Sequence, residues 1–401
     1  MPAAYTGHDG LHAISGMSKS YDVAVIGAGV FGAWTAWHLQ RAGQRVLLVD
    51  QYGPASARAS SGGETRVIRM AYGPDAIYTR MSQRSLVLWK DFFAQIERPE
   101  LFRETGVLWM AHADDAAAKR SVAVLEQFGI AHEVLDANAL ARRYPQIVVP
   151  PGGWAIFEPQ SGGLLARRAV QAVVADCLRG GAELRIDTAL ALEKHGERHL
   201  AEIHAASGEP IRAEHFVFAC GPWLGKVLPD VLSGRIFPTR QEVFYFGIAA
   251  GERGFAPSAL PIWLDFGRDY YGFPDLDGRG FKVAHDVHGE AIDPDTAERL
   301  PSPARIAQAR EFLARRFPAL ASAPLLGAEV CQYENTSNGD FVIDRHPAFD
   351  NAWIAGGGSG HGFKHGPAIG EHVADLVLNR SAVEPRFSVA SKKTEQKREV
   401  H

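Results

Sequence analysis

Residues 21–50, YDVAVIGAGVFGAWTAWHLQRAGQRVLLVD, decide the fold. The run YDVAVI is short, apolar and β-branched, the pattern of a strand buried on both faces of a parallel sheet. Gly27-Ala28-Gly29-Val30-Phe31-Gly32 follows as G-x-G-x-x-G, then a helical stretch that Gly43 closes, then RVLLVD, a second strand ending in Asp50. Glycines permit a tight turn and close backbone approach to a diphosphate, and the helix N-terminus adds N–H donors and the positive end of its dipole. An acid about 20 residues further on accepts hydrogen bonds from ribose hydroxyls. Gly27, Gly29, Gly32 and Asp50 therefore stand as dinucleotide-binding residues. Asp50 argues against NADP and leaves NAD and FAD open.

Outward from this unit, composition narrows the class. The chain has 401 residues, 46% hydrophobic and 22% charged, which excludes a disordered or collagen-like chain. At roughly 150 residues per domain it has room for two or three. Lys+Arg 42 against Asp+Glu 46 gives −4, so no cationic excess is available for nucleic acid. Cys177, Cys220 and Cys331 are too few for a disulfide framework, which favours a reducing compartment. No apolar run approaches the roughly 18 residues of a membrane span. The expectation is a cytoplasmic protein with no membrane or nucleic-acid partner, a monomer or small homo-oligomer. Residues 1–19 are expected as a disordered extension and 386–401 as a polar tail.

After Asp50 the alternation of strand and helix lapses into a loop, QYGPASARASSGGETR. Helical patterning resumes over 77–96 and again over 165–180, with strand-like segments at 105–112, at ELRIDTALALE and at HFVFACG. From about 236 to 287, aromatic and β-branched runs separated by Gly, Asp and Pro predict an antiparallel sheet. Near the end, AWIA predicts a strand that runs into Gly356-Gly357-Gly358-Ser359-Gly360-His361-Gly362-Phe363-Lys364, ahead of a helix. Five glycines in seven positions let backbone amides approach a planar ring or an anion. A helix N-terminus and a cation there would stabilise the negative charge of a reduced flavin, whereas NAD needs no such charge sink.

With these stretches in hand, the chain resembles the D-amino-acid-oxidase-like flavoproteins, and within them the monomeric sarcosine oxidase family, which includes N-methyltryptophan and pipecolate oxidases. The resemblance runs from about Tyr21 to Asn379 and rests on GAGVFG with LLVD, SSGGETRVIRMAYG, GFPDLDGRGFK with IDPDT, and EVCQYENTSNGDFVIDRHP with GGGSGHGFKHGPAIGE. It implies an α/β fold in which a Rossmann-like FAD-binding domain (20–98, 157–232, 325–385) interleaves with an α+β, antiparallel-sheet substrate domain (99–156, 233–324). It also implies FAD-dependent oxidation of a secondary or N-methyl amine on an amino acid to an imine, with O2 reoxidising the flavin to give H2O2.

The resemblance carries over by position. Cys331 falls where the family attaches the flavin 8α-methyl through a thioether. Arg69 and Lys364 match the pair that holds the substrate carboxylate, and Lys282 matches the lysine over the flavin edge that promotes O2 reduction. Ser60, Ser61, Thr65 and Arg66 match flavin contacts, as do the loop residues Gly358, Gly360 and Gly362, with His361 a further candidate. Tyr271 and Tyr333 match residues lining the substrate cavity, Tyr271 also standing among the catalytic candidates. Two departures stand out. Asp286 replaces a histidine four residues after Lys282, with His285 and His288 close by, and Gly62 replaces another histidine. An acid beside the amine makes sarcosine itself doubtful and suits a larger or more cationic amine. A same-fold dehydrogenase with another acceptor, or a flavoprotein subunit of a larger complex, are the alternatives. No metal-ligand spacing and no G-x-S-x-G elbow is present.

Overall fold

The computed structural model describes residues 21–193, 196–265 and 267–397, so the extension expected over 1–19 lies outside the described residues. Its first sheet runs in the order Val342–Arg345, Ala352–Gly356, Ile211–Phe218, Tyr21–Ile26, Val46–Asp50, Glu183–Ile186. All neighbours in this row pair in parallel except Val342–Arg345, which returns antiparallel on Ala352–Gly356; a seventh strand, Glu202–Ile203, pairs antiparallel with Ile211–Phe218 off the row. Ile26 pairs with both Val49 and Phe218, so the central strands end level and share one open edge. Ala24, Val25, Phe216, Val217 and Ile354 have no exposed surface, as continuous apolar strands between two covered faces require.

One face is covered by the helices Val30–Arg41, Ala166–Arg179 and Gly366–Val377, with Ala76–Gln95 packed outside. Trp34 meets Trp89 edge-on at 5.0 Å and Phe92 at 5.2 Å, and each fully buried ring adds about 1.5–3 kcal/mol of apolar burial. These helices lie where the apolar periodicity over 77–96 and 165–180 places them.

The second sheet runs Leu325–Asn335, Phe237–Phe246, Phe281–His285, Tyr270–Phe273, Ile262–Asp265, Val107–Ala111, Trp154–Glu158, Glu133–Leu135. It is antiparallel as predicted but for one pair, Ile262–Asp265 with Val107–Ala111, which is parallel because the two strands come from distant chain segments rather than a hairpin. A small sheet, Arg66–Ile68 with Gly162–Leu164 and Phe102–Arg103, joins the two: Ile68 belongs to the helix-side core, while Gly163 faces Ile262 and Phe273 of the second sheet.

Two boundaries differ from the sequence reading. Leu325–Asn335, grouped with the nucleotide segment, is an edge strand of the second sheet along the full length of Phe237–Phe246. The stretch from 386, read as a polar tail, is docked through residue 392. Phe387 and Val389 are buried, and Arg386 bridges Asp340 at 2.8 Å and Asp75 at 2.7 Å. Two apolar residues spaced two apart escape notice in a segment whose composition is polar.

Candidate functional site

The level carboxyl ends of the central strands open on a cleft, the place where open α/β sheets hold ligands. Gly27, at φ +107°, makes the turn: a Cβ there would lie 2.2 Å from the Ala219 carbonyl oxygen. Gly32 does not touch the cleft; a Cβ on it would meet the Gly27 carbonyl oxygen at 1.8 Å, so its role is to let the helix start against the turn. Gly29 lines the cleft with only Ser61 Oγ at 3.5 Å before it. The Ser61 hydroxyl accepts from the Val30 N–H at 3.0 Å. Asp50 stands at the far end. Its Oδ2 accepts from the Ala28 N–H at 2.7 Å and its Oδ1 from the Tyr52 and Gly53 N–H groups at 2.8 Å, while burial pushes its carboxyl pKa up.

The other end is walled by Gly358, Gly360, Gly362 and Phe363. Gly360, at φ +81°, rides on the Tyr333 ring, where a Cβ would sit 2.6 Å from a ring carbon. His361 turns away from the cleft: it stacks on Phe341 at 5.0 Å, and its Nε2 lies 2.9 Å from the Gly339 carbonyl oxygen. The candidate flavin contact is therefore a core histidine of the loop's rear side.

Ser60 and Arg66 line the cleft between these ends, with Thr65 and Cys331 beside them. The Arg66 guanidinium donates to the Ser60 carbonyl at 2.6 Å and the Thr65 carbonyl at 2.8 Å, and lies 3.6 Å from Cys331 Sγ. Lys282, 2% exposed, donates to the Thr65 carbonyl and hydroxyl, both at 3.0 Å, and stands 4.4 Å from the Phe273 ring centre. Burial, then the Arg66 charge, lowers its ammonium pKa to about 7. The Tyr333 hydroxyl donates to Asp286 Oδ1 at 3.1 Å and contacts Tyr271, whose pKa is pushed up to about 12 by burial and then by Asp286. The structure thus brings Arg66, Lys282 and Cys331 together, with Tyr271, Tyr333 and Asp286 as a linked set.

Arg69 and Lys364 meet elsewhere, on Tyr72. The Arg69 guanidinium lies 4.3 Å from the Tyr72 ring centre and 5.1 Å from that of Trp109, and donates to the Ala71 carbonyl. Lys364 Nζ donates to the Tyr72 hydroxyl at 2.7 Å and to the His361 carbonyl at 2.8 Å. That hydroxyl also lies 2.9 Å from His365 Nε2. Burial, then the Lys364 charge, holds the His365 pKa well below its usual value, so the ring is neutral.

Sequence reasoning passed over three residues here. Tyr72, three places after Arg69, carries the contact on which the two cations converge. Glu334, buried, lines the cleft on the strand face opposite Cys331 and Tyr333. Cys220 also lines the cleft, because it follows a strand whose carboxyl end opens there, whereas Cys177 is buried. An acid directly after Cys-Gln-Tyr in a strand is the signal that would have exposed Glu334.

The cleft fits an extended dinucleotide. Its glycine backbones stand open, and Ser56 Oγ, Ser60 Oγ and Glu334 Oε1 are buried without a hydrogen-bond partner in the protein, polar atoms waiting for a polar ligand. No group of described residues could hold a metal ion, and no described helix is long and apolar enough to cross a membrane.

Residues 22–376 match the family described as DAO, FAD dependent oxidoreductase. The chain is 33% identical to the monomeric sarcosine oxidase of Streptomyces avermitilis over 375 residues, covering 92% of this chain and 96% of that one. It is 30% identical to the N-methyl-L-tryptophan oxidase of Escherichia coli O6:H1 over 368 residues, covering 90% and 96%. In fold it is similar to the L-proline dehydrogenase of P. horikoshii, with a TM-score of 0.80 at 21% identity over 92% of this chain and 97% of that one. It is also similar to the amino acid oxidase NikD of nikkomycin biosynthesis, at a TM-score of 0.76 and 21% identity, covering 92% and 98%.

Proposed function

From the premise that the chain belongs to the DAO family of FAD dependent oxidoreductases, we propose that it oxidises the C–N bond of a secondary or N-methyl amino acid to an imine, with O2 as acceptor and H2O2 as product. Bound FAD would accept the hydride equivalent taken from the carbon beside the amine nitrogen. The observation that carries this reading is the convergence of Arg69 and Lys364 on Tyr72 beside the glycine loop. Two buried cations at one point suit a carboxylate, the guanidinium fixing its plane and the ammonium adding a point charge.

Asp286, linked to Tyr333 and Tyr271, sets a negative charge where an amine is to be oriented, and favours an amine larger or more cationic than sarcosine. Lys282 places a buried positive charge beside Arg66, where it stabilises negative charge passing to O2. Cys331, 3.6 Å from Arg66, is the residue for a thioether to the flavin. The FAD-binding segments are 20–98, 157–232 and 336–385, the substrate segments 99–156, 233–324 and the strand to 335.

A peroxide-release screen over N-methyl amino acids, pipecolate, proline and glycated amino acids tests the reaction. Substrate-dependent flavin bleaching under nitrogen without peroxide in air would replace O2 by another acceptor. Acid precipitation tests the bond at Cys331, since yellow colour in the supernatant rules it out. Equal turnover of sarcosine by wild type and Asp286→His would sink the reading of Asp286.

A further inference from the structure

Glu334 has no place in the chemistry above, yet it is 6% exposed and lines the FAD cleft. Strand alternation puts Cys331 and Tyr333 on one face of Leu325–Asn335, and Gln332 and Glu334 on the other. The carboxyl lies flush against the end of strand Ala352–Gly356, where a Cβ on Gly356 would come within 2.4 Å of Oε1. The N–H groups of Gly357 and Gly358 donate to it. Oε1 has no hydrogen-bond partner in the protein. Cys220 and, past it, Asp50 are the titratable groups on this side, and both add negative or neutral character. The adjoining Leu224 and Pro238 are apolar, and no described lysine or arginine pairs with the carboxyl.

We propose that Glu334 binds FAD as a neutral carboxylic acid, its Oε1 paired with a hydroxyl of the ribityl chain. The inference rests on the FAD reading of the cleft and adds a third anchor between the two glycine loops. An ionised carboxylate there would add negative charge to the cleft that holds the cofactor's diphosphate, and no described lysine or arginine pairs with it. A protonated carboxyl instead offers one O–H donor and a remaining acceptor, and a hydroxyl is the group that uses both. The ribityl chain is the polyol joining diphosphate to ring; Glu334 lies beside Gly358 of the second glycine loop, and Cys220 beside Gly27 of the first. Burial raises the Glu334 pKa to about 7, against the pull of the two N–H donors, so both forms are accessible near neutrality.

The test uses full-length Cys331→Ser protein freed of flavin, with the Kd for FAD read from quenching of its fluorescence. If only the protonated form binds well, affinity is full at low pH and falls as pH rises through about 7. The Kd should then weaken about 20-fold between about pH 6.5 and about pH 8.5. Glu334→Gln keeps a donor and an acceptor and should hold the low-pH affinity within a few-fold while flattening the pH response. Glu334→Met should flatten it too and weaken binding about tenfold at the lower pH, the worth of one buried hydrogen bond. A pH-independent Kd in the parent, or an unchanged pH slope in both variants, overturns the role of Glu334 and leaves the FAD reading standing. A wild-type protein that takes up no FAD at any pH overturns both.

Discussion

Lys282 and Lys364 are both buried, 2% and 4% exposed, but they are held in different ways. Lys282 sits mid-strand and reaches Thr65, 217 residues away in sequence, with the Arg66 charge next to it. Lys364 sits in the short turn Phe363–His365, and one of its bonds goes to the carbonyl of His361, three residues back. A cation tied to its own turn is placed by local backbone and serves as a position. A cation bonded to a distant segment, with its pKa brought to about 7, is placed by the tertiary structure and serves as an adjustable charge. The first kind suits a clamp on a fixed carboxylate, the second a site where charge appears only during reaction.

That contrast can be broken most sharply at Lys282. Lys282→Met is expected to slow O2 consumption about 10²- to 10³-fold while leaving anaerobic bleaching by substrate near wild type; stopped-flow of the two half-reactions separates them. The same variant should be more stable without FAD. The folded pKa of Lys282 lies below the unfolded value, so its burial opposes folding while it is charged, and this cost fades as pH rises from about 7 toward 10.5. The gain in thermal midpoint over wild type should therefore be largest below about pH 7 and shrink in alkali.

At Lys364 the loss should fall on substrate instead. Lys364→Met is expected to lower kcat/KM about 10- to 10²-fold, with the O2 half-reaction unchanged, the effect of one charge-assisted hydrogen bond. The pH response sharpens the same comparison. The oxidative half-reaction in wild type should decline above about pH 7, up to about tenfold per unit, as Lys282 loses its proton, and the decline should vanish in Lys282→Met. Tyr72→Phe removes the hydroxyl to which Lys364 donates and should raise KM about fivefold with little change in kcat. A fall in the O2 rate with Tyr72→Phe would mean that the two lysines are not separate devices.

The legible parts of this site share one property, a local pattern. The turn at Gly27–Gly32, the helix behind it, Asp50 at the strand end, and the glycine loop before Lys364 each lie within a few tens of residues. Hydrophobic period and glycine spacing suffice for these. Ser60, Arg66 and Cys331 came through resemblance, since no period marks them. What stayed hidden depends on which way a side chain turns. His361 and Glu334 both lie close to cleft residues, but backbone direction sends the histidine into the core against Phe341 and the acid into the cleft. Phe387 and Val389 carry too little apolar surface to announce a docked segment in a polar stretch.

By itself the sequence determined that a strand, a glycine turn, a helix and an acid-ended strand open the chain, and that a second glycine loop precedes the last helix. Those follow from backbone preferences that act over short separations. Only the tertiary structure decided that Thr65 and Lys282 share hydrogen bonds, that Arg69 and Lys364 converge on Tyr72, and that Glu334 is buried without a cation. Burial and the distance between charges set each of those, and both exist only once distant segments have packed.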